Sequence, residues 1–160
     1  MRRRPLLFLD VDGPLIPFGD TEHPTYPPPH HDNPLLTRCD PSHGPRLAAL
    51  PCDLVWATTW GEDANRFIAP RLNLPPLPVV TWREPDALDR YYRLHHKTRS
   101  LVDHAAGRPF AWLDDEITAA DRSWIAEHHP APALPHRVDP GTGLTGADYS
   151  TLTSWLHNTT

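Results

Sequence analysis

The chain has 160 residues and a net charge of −5 with histidine neutral, which leaves room for one domain and gives no overall attraction for nucleic acid. Its 21 prolines exclude a coiled coil or a long-helix bundle, because proline breaks helix interiors. The apolar runs are too short to span a membrane, and Cys39 and Cys52 lack metal-ligand spacing. We therefore expect a reduced cytoplasmic protein, with a disulfide as the open alternative.

Short apolar runs alternate with amphipathic segments, a pattern that predicts an α/β fold with a mainly parallel sheet. Strands are expected at 5–9, 54–58, 77–82, 110–113 and 134–138. Helices are expected at 46–50, 62–69, 86–94 and 98–106, at 118–128, and from Thr145 onward. The segment 14–45 is rich in proline, histidine and aspartate and lacks periodicity, which predicts a long loop or flap. With no internal repeat, we expect a single domain over residues 1–160.

Three of the predicted strands end in polar clusters, namely Asp10-Val11-Asp12-Gly13, Thr58-Thr59 and Asp114-Asp115. Ligands of an open parallel sheet bind outside the carboxyl ends of its strands, so these clusters are expected to converge. Carboxylates gathered in one place repel each other and need a cation, and all-oxygen ligation suits Mg²⁺. Each cluster alone has an ordinary explanation as a turn, a cap or a strand end. Their ordered combination in a short chain favours a site.

Lys97 is the only lysine, against fourteen arginines. A GC-rich coding bias would explain the excess of arginine, and a lysine on a solvated face is the ordinary alternative. Lysine differs from arginine in presenting a compact point charge. Its position between the second and third polar clusters therefore makes Lys97 a candidate site residue.

These residues carry a resemblance to a known superfamily. The segment Leu6 to Gly13 resembles the first motif of the haloacid dehalogenase-like (HAD) superfamily, and Thr58, Lys97 and Asp114-Asp115 resemble the other three in order. Residues 55–61 are similar to the HAD domain linked to Swiss Army Knife RNA-repair proteins. The resemblance implies a Rossmann-like three-layer sandwich that is capless or has only a minimal flap at 14–45.

The resemblance also implies a Mg²⁺-dependent phosphatase that works through an aspartyl-phosphate. Asp10 would be the nucleophile, and Asp12 would protonate the leaving oxygen and then activate water. Mg²⁺ would be held by Asp10, the carbonyl group of Asp12 and Asp114, with Asp115 acting through water. An acid at position 12 favours phosphate-ester chemistry over dehalogenation. Pro14 departs from the family pattern and affects the adjoining flap.

Further residues are implied to contact the phosphorylated substrate. Thr58 would donate a hydrogen bond to the phosphoryl group, and Lys97 would present its charge to that group and to the nucleophile. Gly13, Thr59 and Trp60 are expected beside the substrate.

The substrate is predicted to be a nucleotide or a nucleic-acid end, since a capless site is open. A small metabolite phosphate and a non-catalytic binding module are the alternatives, and the sequence indicates no oligomeric state. Candidates for stacking on a base are Trp60, Trp82, Tyr91 and Tyr92, although aromatic residues at helical spacing usually pack in a core. The histidine pairs at 30–31, 95–96 and 128–129 lack a zinc arrangement and are expected at the surface, with His95 or His96 bordering the site.

Overall fold

The structure, a computed structural model, describes residues 3–29 and 32–159. In this part of the chain one parallel sheet contains β1 (Leu6–Leu9), β2 (Asp53–Trp56), β3 (Phe110–Asp114) and β4 (Ala133–Arg137), in the order β2-β1-β3-β4. All four residues of β1 are buried, which explains its unbroken apolar sequence. The expected α/β class and parallel sheet are confirmed.

The helical elements flank the sheet. They are α1 (His43–Ala48), α2 (Ala87–Tyr92), α3 (Thr98–Ala105), α4 (Ala119–His128) and α5 (Gly146–Thr159), together with a 3₁₀ helix at Pro34–Arg38 and a π-helix at Ala64–Ile68. None of these described helices is long and apolar enough to cross a membrane.

The sheet separates two hydrophobic clusters. Leu7 and Leu9 pack in a cluster that includes residues of α1 and α5. Leu6 and Phe8 point to the opposite face and pack in a cluster that includes residues of α3 and α4. Alternate side chains of one strand therefore supply both cores, and the sheet lies between two helical layers as expected for a three-layer sandwich.

The expected strand at 77–82 is reduced to a single parallel bridge between Trp56 and Val79. The amide of Trp56 donates to the carbonyl of Pro78 at 2.9 Å, and the amide of Val80 donates to the carbonyl of Trp56 at 3.0 Å. Proline has no amide hydrogen, so Pro78 cannot continue a ladder and is confined to the edge of a sheet. This stretch extends the sheet beside β2 without forming a full strand.

The segment 14–45 has more structure than the expected loop. Leu15 and Ile16 turn back into the core directly after β1. The side chain of Asn33 accepts a hydrogen bond from the amide of Leu35 at 3.0 Å and caps the 3₁₀ helix. Helix α1 begins at His43 and not at position 46. The exposed part of this segment is therefore mainly residues 18–29.

The expected helix at 62–69 is shorter and more loosely wound, because residues Ala64–Ile68 form a π-helix. The amide of Ala69 donates to the carbonyl of Ala64 at 2.9 Å, which is the five-residue spacing of such a turn. The element ends before Pro70, as predicted.

The paired histidines differ in position. His30 and His31 lie outside the described residues. His128 is exposed as expected. His129 is buried, because its ring packs 4.8 Å from that of Phe110 and its Nε2 is 2.8 Å from the carbonyl oxygen of Arg108.

Candidate active site

The predicted polar clusters meet at the carboxyl ends of three neighbouring strands. Asp10 directly follows β1, Thr58 lies two residues beyond β2, and Asp114 is the last residue of β3. Leu9 pairs with Trp56 on one side and with Leu113 on the other. Because these parallel strands end in register, residues far apart in the sequence become neighbours.

Three carboxylates form a group that could hold a metal ion. Asp10, Asp114 and Asp115 each offer one oxygen, and these oxygens lie within 4.8 Å of one another. Asp10 and Asp114 are only 6% and 1% exposed. The side chain of Asp12 is not part of this group. An all-oxygen donor set of this kind suits a hard divalent cation.

Lys97 binds two of the three carboxylates. Its Nζ lies 3.1 Å from Oδ1 of Asp10 and 2.8 Å from Oδ2 of Asp114, and it donates to the carbonyl of Ala57 at 2.9 Å. The lysine is only 3% exposed. One buried ammonium cannot neutralise three carboxylates, so negative charge remains for a cation to compensate.

The pKa values of these groups follow from burial and mutual repulsion. Burial raises the pKa of Asp10 to about 7, a rise that Asp114 reinforces and Lys97 opposes. Burial, followed by the charge of Asp114, raises the pKa of Asp115 to about 6. Burial alone would lower the pKa of Lys97, but the carboxylates of Asp10 and Asp114 raise it above its usual range. The lysine is therefore charged at neutral pH, while Asp10 and Asp115 hold protons close to neutrality in the metal-free protein.

A cavity of about 170 Å³ opens beside the carboxylates. It is lined by six residues predicted from the sequence, namely Asp10, Asp12, Thr59, Lys97, Asp114 and Asp115, and also by Phe18, His95, His96 and Glu116. Both members of the histidine pair next to Lys97 therefore border the cavity. A larger cavity of about 570 Å³ lies at the opposite ends of the strands and contains none of the predicted site residues.

Sequence reasoning missed two of the lining residues. Glu116 continues the acidic run that begins at Asp114, so the sequence contained an indication of it. Phe18 lies in the proline-rich segment, where no periodicity distinguishes it, and only the fold brings it to the cavity.

The other three predicted residues do not line the cavity, and two of them, Gly13 and Trp60, contact residues that do. Gly13 has a φ of +100°, and a Cβ at this position would lie 3.0 Å from the side chain of Asp115. Nε1 of Trp60 donates to Oδ2 of Asp12 at 3.1 Å. The hydroxyl of Thr58, which is fully buried, accepts a hydrogen bond from the Trp60 amide at 3.2 Å.

A closed ring of hydrogen bonds surrounds the lysine. The amide of Lys97 donates to Nδ1 of His95 at 3.1 Å, and Nε2 of His95 lies 2.8 Å from Oε2 of Glu116. The amide of Glu116 donates to Oδ1 of Asp114 at 3.0 Å, and Asp114 in turn binds Nζ of Lys97. Because Nδ1 of His95 accepts a hydrogen bond, its proton is on Nε2 and is donated to Glu116.

The aromatic candidates occupy two different environments. Trp82 lies next to the site, with its ring centre 5.8 Å from Nζ of Lys97. Tyr91 and Tyr92 are 78% and 42% exposed on α2, and their rings meet edge to face at 4.9 Å. Packing in a core, the ordinary explanation for helical aromatic residues, therefore does not apply to these tyrosines.

Comparison with known proteins gives one family. Its profile, described as the HAD domain in Swiss Army Knife RNA repair proteins, matches residues 6–149. The matched range extends from β1 into α5 and includes every residue that lines the cavity beside the carboxylates. No curated protein and no solved structure matches the chain.

Proposed function

Because the chain belongs to the family of HAD domains found in Swiss Army Knife RNA repair proteins, we propose that it is a Mg²⁺-dependent phosphatase that forms an aspartyl-phosphate on Asp10. The observation that carries this proposal is the group of three carboxylates beside Lys97, two of them buried, at the carboxyl ends of the strands where the cavity opens. A hydrolase of this family acts on phosphorylated substrates.

Asp10, Asp114 and Asp115 would hold the Mg²⁺, with the carbonyl group of Asp12 as a further ligand. When bound, the ion would supply positive charge that offsets the repulsion between the carboxylates and the phosphate oxygens. The donor set fits this role, since it consists of oxygen atoms and one ammonium leaves it under-neutralised.

Asp10 would attack phosphorus. Its Oδ1 is held by the amide of Val11 at 2.8 Å and by Nζ of Lys97 at 3.1 Å, which leaves Oδ2 for the attack. The bond from Oδ2 to phosphorus forms as the bond to the leaving oxygen breaks. The ammonium of Lys97 keeps the nucleophile oriented and stabilises the negative charge on the transferring group.

Asp12 would move the proton in both halves of the reaction. Its carboxyl group gives a proton to the leaving oxygen, and the resulting carboxylate then takes a proton from water. That water attacks phosphorus, the bond to Asp10 breaks, and inorganic phosphate is released. Because Trp60 binds Oδ2 of Asp12, we assign the proton to Oδ1.

For the substrate we propose a nucleic-acid end or a nucleotide. A cavity of about 170 Å³ is smaller than the roughly 300–1,000 Å³ of pockets that enclose a small molecule, so it suits a phosphoryl group while the rest of the substrate lies outside. The RNA repair proteins that give the family its name support a polynucleotide end. The net charge of −5 favours the second candidate, a small metabolite phosphate.

We further propose that the chain acts as a single domain, with the mainly exposed residues 18–29 of the segment 14–45 as a flap beside the site. Phe18, from this segment, lines the cavity, and its amide donates to the carbonyl of Pro140 at 2.8 Å. Phe18→Ala should therefore change the preference among substrates more than the turnover of a generic aryl phosphate. Equal loss of activity on all substrates would contradict the flap.

Cys39 and Cys52 are both free and buried, which fits a location in the reducing cytoplasm.

The test is a phosphate-release screen with and without Mg²⁺, over an aryl phosphate, nucleotides, 3′- and 5′-phosphorylated oligonucleotides and sugar phosphates. Asp10→Asn should reduce release to background. With an aryl phosphate, whose leaving group needs little help from an acid, Asp12→Asn should slow hydrolysis of the intermediate more than its formation, so that phosphorylated protein accumulates and is detected by mass spectrometry.

Asp103→Asn provides the matched control, because it makes the same change in an exposed side chain that pairs with Arg83. It should retain full activity. Persistent release from Asp10→Asn, or silence of the folded wild-type protein across the whole panel, would overturn the proposed function.

A further inference from the structure

We propose that Asp121 is a positioning residue that holds Lys97 against the carboxylates, an inference that rests on the proposed function. Asp121 lies in the first turn of α4 and is completely buried, with 0% exposure. A buried carboxylate is costly unless its oxygens accept hydrogen bonds. The partners of the two oxygens therefore show what this residue does.

Oδ1 of Asp121 binds the turn that carries Lys97. It accepts a hydrogen bond from the amide of His95 at 2.8 Å and another from the hydroxyl of Thr98 at 2.7 Å. These two residues lie on either side of Lys97 in the sequence. The position of the lysine backbone is therefore fixed from both directions by a single oxygen.

Oδ2 of Asp121 binds the start of its own helix. It accepts from the amide and from the hydroxyl of Thr118, each at 2.9 Å, and the hydroxyl of Thr118 caps the helix in return. Capping α4 thus needs only Oδ2. Oδ1 is committed entirely to the Lys97 turn, which a purely local role in the helix would not require.

The residue at the N-terminal end of α3 does not cap this helix with its side chain. Lys97 is the residue that precedes the helix, and its side chain makes no capping hydrogen bond because it points to Asp10 and Asp114. Hydrogen bonds to a charged acceptor are stronger than those between neutral groups. Asp121 therefore ties the element that carries Lys97 to the helix that follows Asp114 and Asp115.

The position of Lys97 matters because its Nζ orients the nucleophile. A misplacement of about 1 Å in a catalytic group can cost roughly 100-fold in rate. Loss of the link through Oδ1 should therefore lower kcat more than it changes KM for an aryl phosphate, since Lys97 orients the nucleophile and stabilises the charge on the transferring group.

Two variants of equal chemistry separate positioning from helix capping. Thr98→Val removes the hydroxyl that links Asp121 to α3, whereas Thr118→Val removes the hydroxyl that caps α4 and donates to Oδ2 of Asp121. We expect Thr98→Val to lower kcat by about tenfold, which is typical when a residue that orients an active-site group is lost. Thr118→Val should lower the melting temperature while keeping kcat within about twofold of the wild type.

The single lysine provides a readout that does not depend on activity. Labelling with [¹³Cε]lysine gives one signal, that of Lys97, in metal-free protein. Thr98→Val and Asp121→Asn should shift this signal, and Thr118→Val should leave it in place. Asp121→Asn tests the residue itself, because an amide cannot accept on both of its terminal atoms.

The outcomes distinguish the two proposals. An inactive wild type whose lysine signal still shifts in Thr98→Val would refute the phosphatase and keep the positioning role. An active wild type with identical kcat values and lysine signals in Thr98→Val and Thr118→Val would overturn the role of Asp121.

Discussion

Trp60 donates a hydrogen bond from its indole nitrogen to Oδ2 of Asp12 at 3.1 Å. The ring expected beside the substrate is thus bound to the carboxylate proposed as acid and base. Trp60→Phe keeps a ring and removes the donor, so Asp12 should lose its fixed orientation and kcat should fall by about tenfold. The loss should be larger for an alkyl phosphate than for an aryl phosphate, whose leaving group needs less help from an acid. Kinetics with both substrates check this.

The matched control for this substitution is Trp155→Phe. Trp155 lies in α5, packs against the cluster that contains Leu7 and Leu9, and does not line the cavity beside the carboxylates. It should lower stability without changing the ratio of the two rates. An unchanged ratio in Trp60→Phe would count against the assignment of Asp12 as the acid.

The stability of the metal-free protein should depend on pH. The folded-state pKa values of Asp10 and Asp115 are raised from 3.8 to about 7 and about 6. Between pH 3.8 and about pH 7 the folded state binds more protons than the unfolded state. The free energy of unfolding therefore falls as the pH rises through this window. The melting temperature in EDTA should therefore drop between pH 5 and about pH 7.5, and Mg²⁺ should restore it at the upper end.

The same protons should compete with the metal ion. Mg²⁺ affinity, measured by calorimetric titration, should weaken as pH falls below about 7, because Asp10 must lose its proton to bind. Asp10→Asn should flatten the pH dependence of the melting temperature, whereas the exposed control Asp103→Asn should preserve it. A flat profile in the wild-type protein would show that the carboxylates are ionised without metal.

Gly13 should be indispensable for the metal site. Its φ of +100° disfavours other residues, and a Cβ would lie 3.0 Å from Asp115. Gly107→Ala is the matched control, since Gly107 has a φ of +86° but nothing within 4 Å of its Cβ position. Both substitutions should cost about 1–2 kcal/mol of stability through backbone strain. Only Gly13→Ala should displace Asp115 and weaken Mg²⁺ binding by about tenfold or more, as a titration would show.

The exposed ring of Tyr91 should distinguish polynucleotide from small-molecule substrates. Stacking on a base contributes about 1–3 kcal/mol, so Tyr91→Ala should raise KM for a phosphorylated single-stranded oligonucleotide by about tenfold. KM for an aryl phosphate should stay the same. Leu88→Ala is the control, because Leu88 is 50% exposed on the same helix but has no ring. Equal KM values for Tyr91→Ala and the wild-type protein would favour a metabolite phosphate.

The central features of the fold and site were predictable because they follow from local patterns. The apolar run of β1 is buried on both faces, and the strand-end rule places Asp10 beside Asp114. The expected strand at 77–82 failed for a local reason too, since Pro78 offers no amide to a ladder. The proline is visible in the sequence and argues against a full strand, but the apolar residues around it give the segment the pattern of one.

The remaining features depend on tertiary contacts. Thr118 and Asp121 form a recognisable capping pattern, but nothing in the sequence shows that Oδ1 of Asp121 binds His95 and Thr98. The sequence suggests the face of the Trp60 ring as a stacking surface, whereas in the fold the indole nitrogen at the ring edge binds Asp12. The role of a side chain that can make two kinds of contact therefore cannot be assigned until its neighbours in the fold are known.

The central position of β1 has a consequence for synthesis on the ribosome. Of the four described strands it is the earliest in the chain, yet it pairs with β3, whose residues Phe110–Asp114 emerge much later. Throughout this interval one edge of a wholly apolar strand lacks its partner and can bind other chains. The same late segment brings Asp114 to Asp10. A nascent chain therefore covers its most aggregation-prone edge and acquires its complete carboxylate group in one step, and a chain that stops before Phe110 achieves neither.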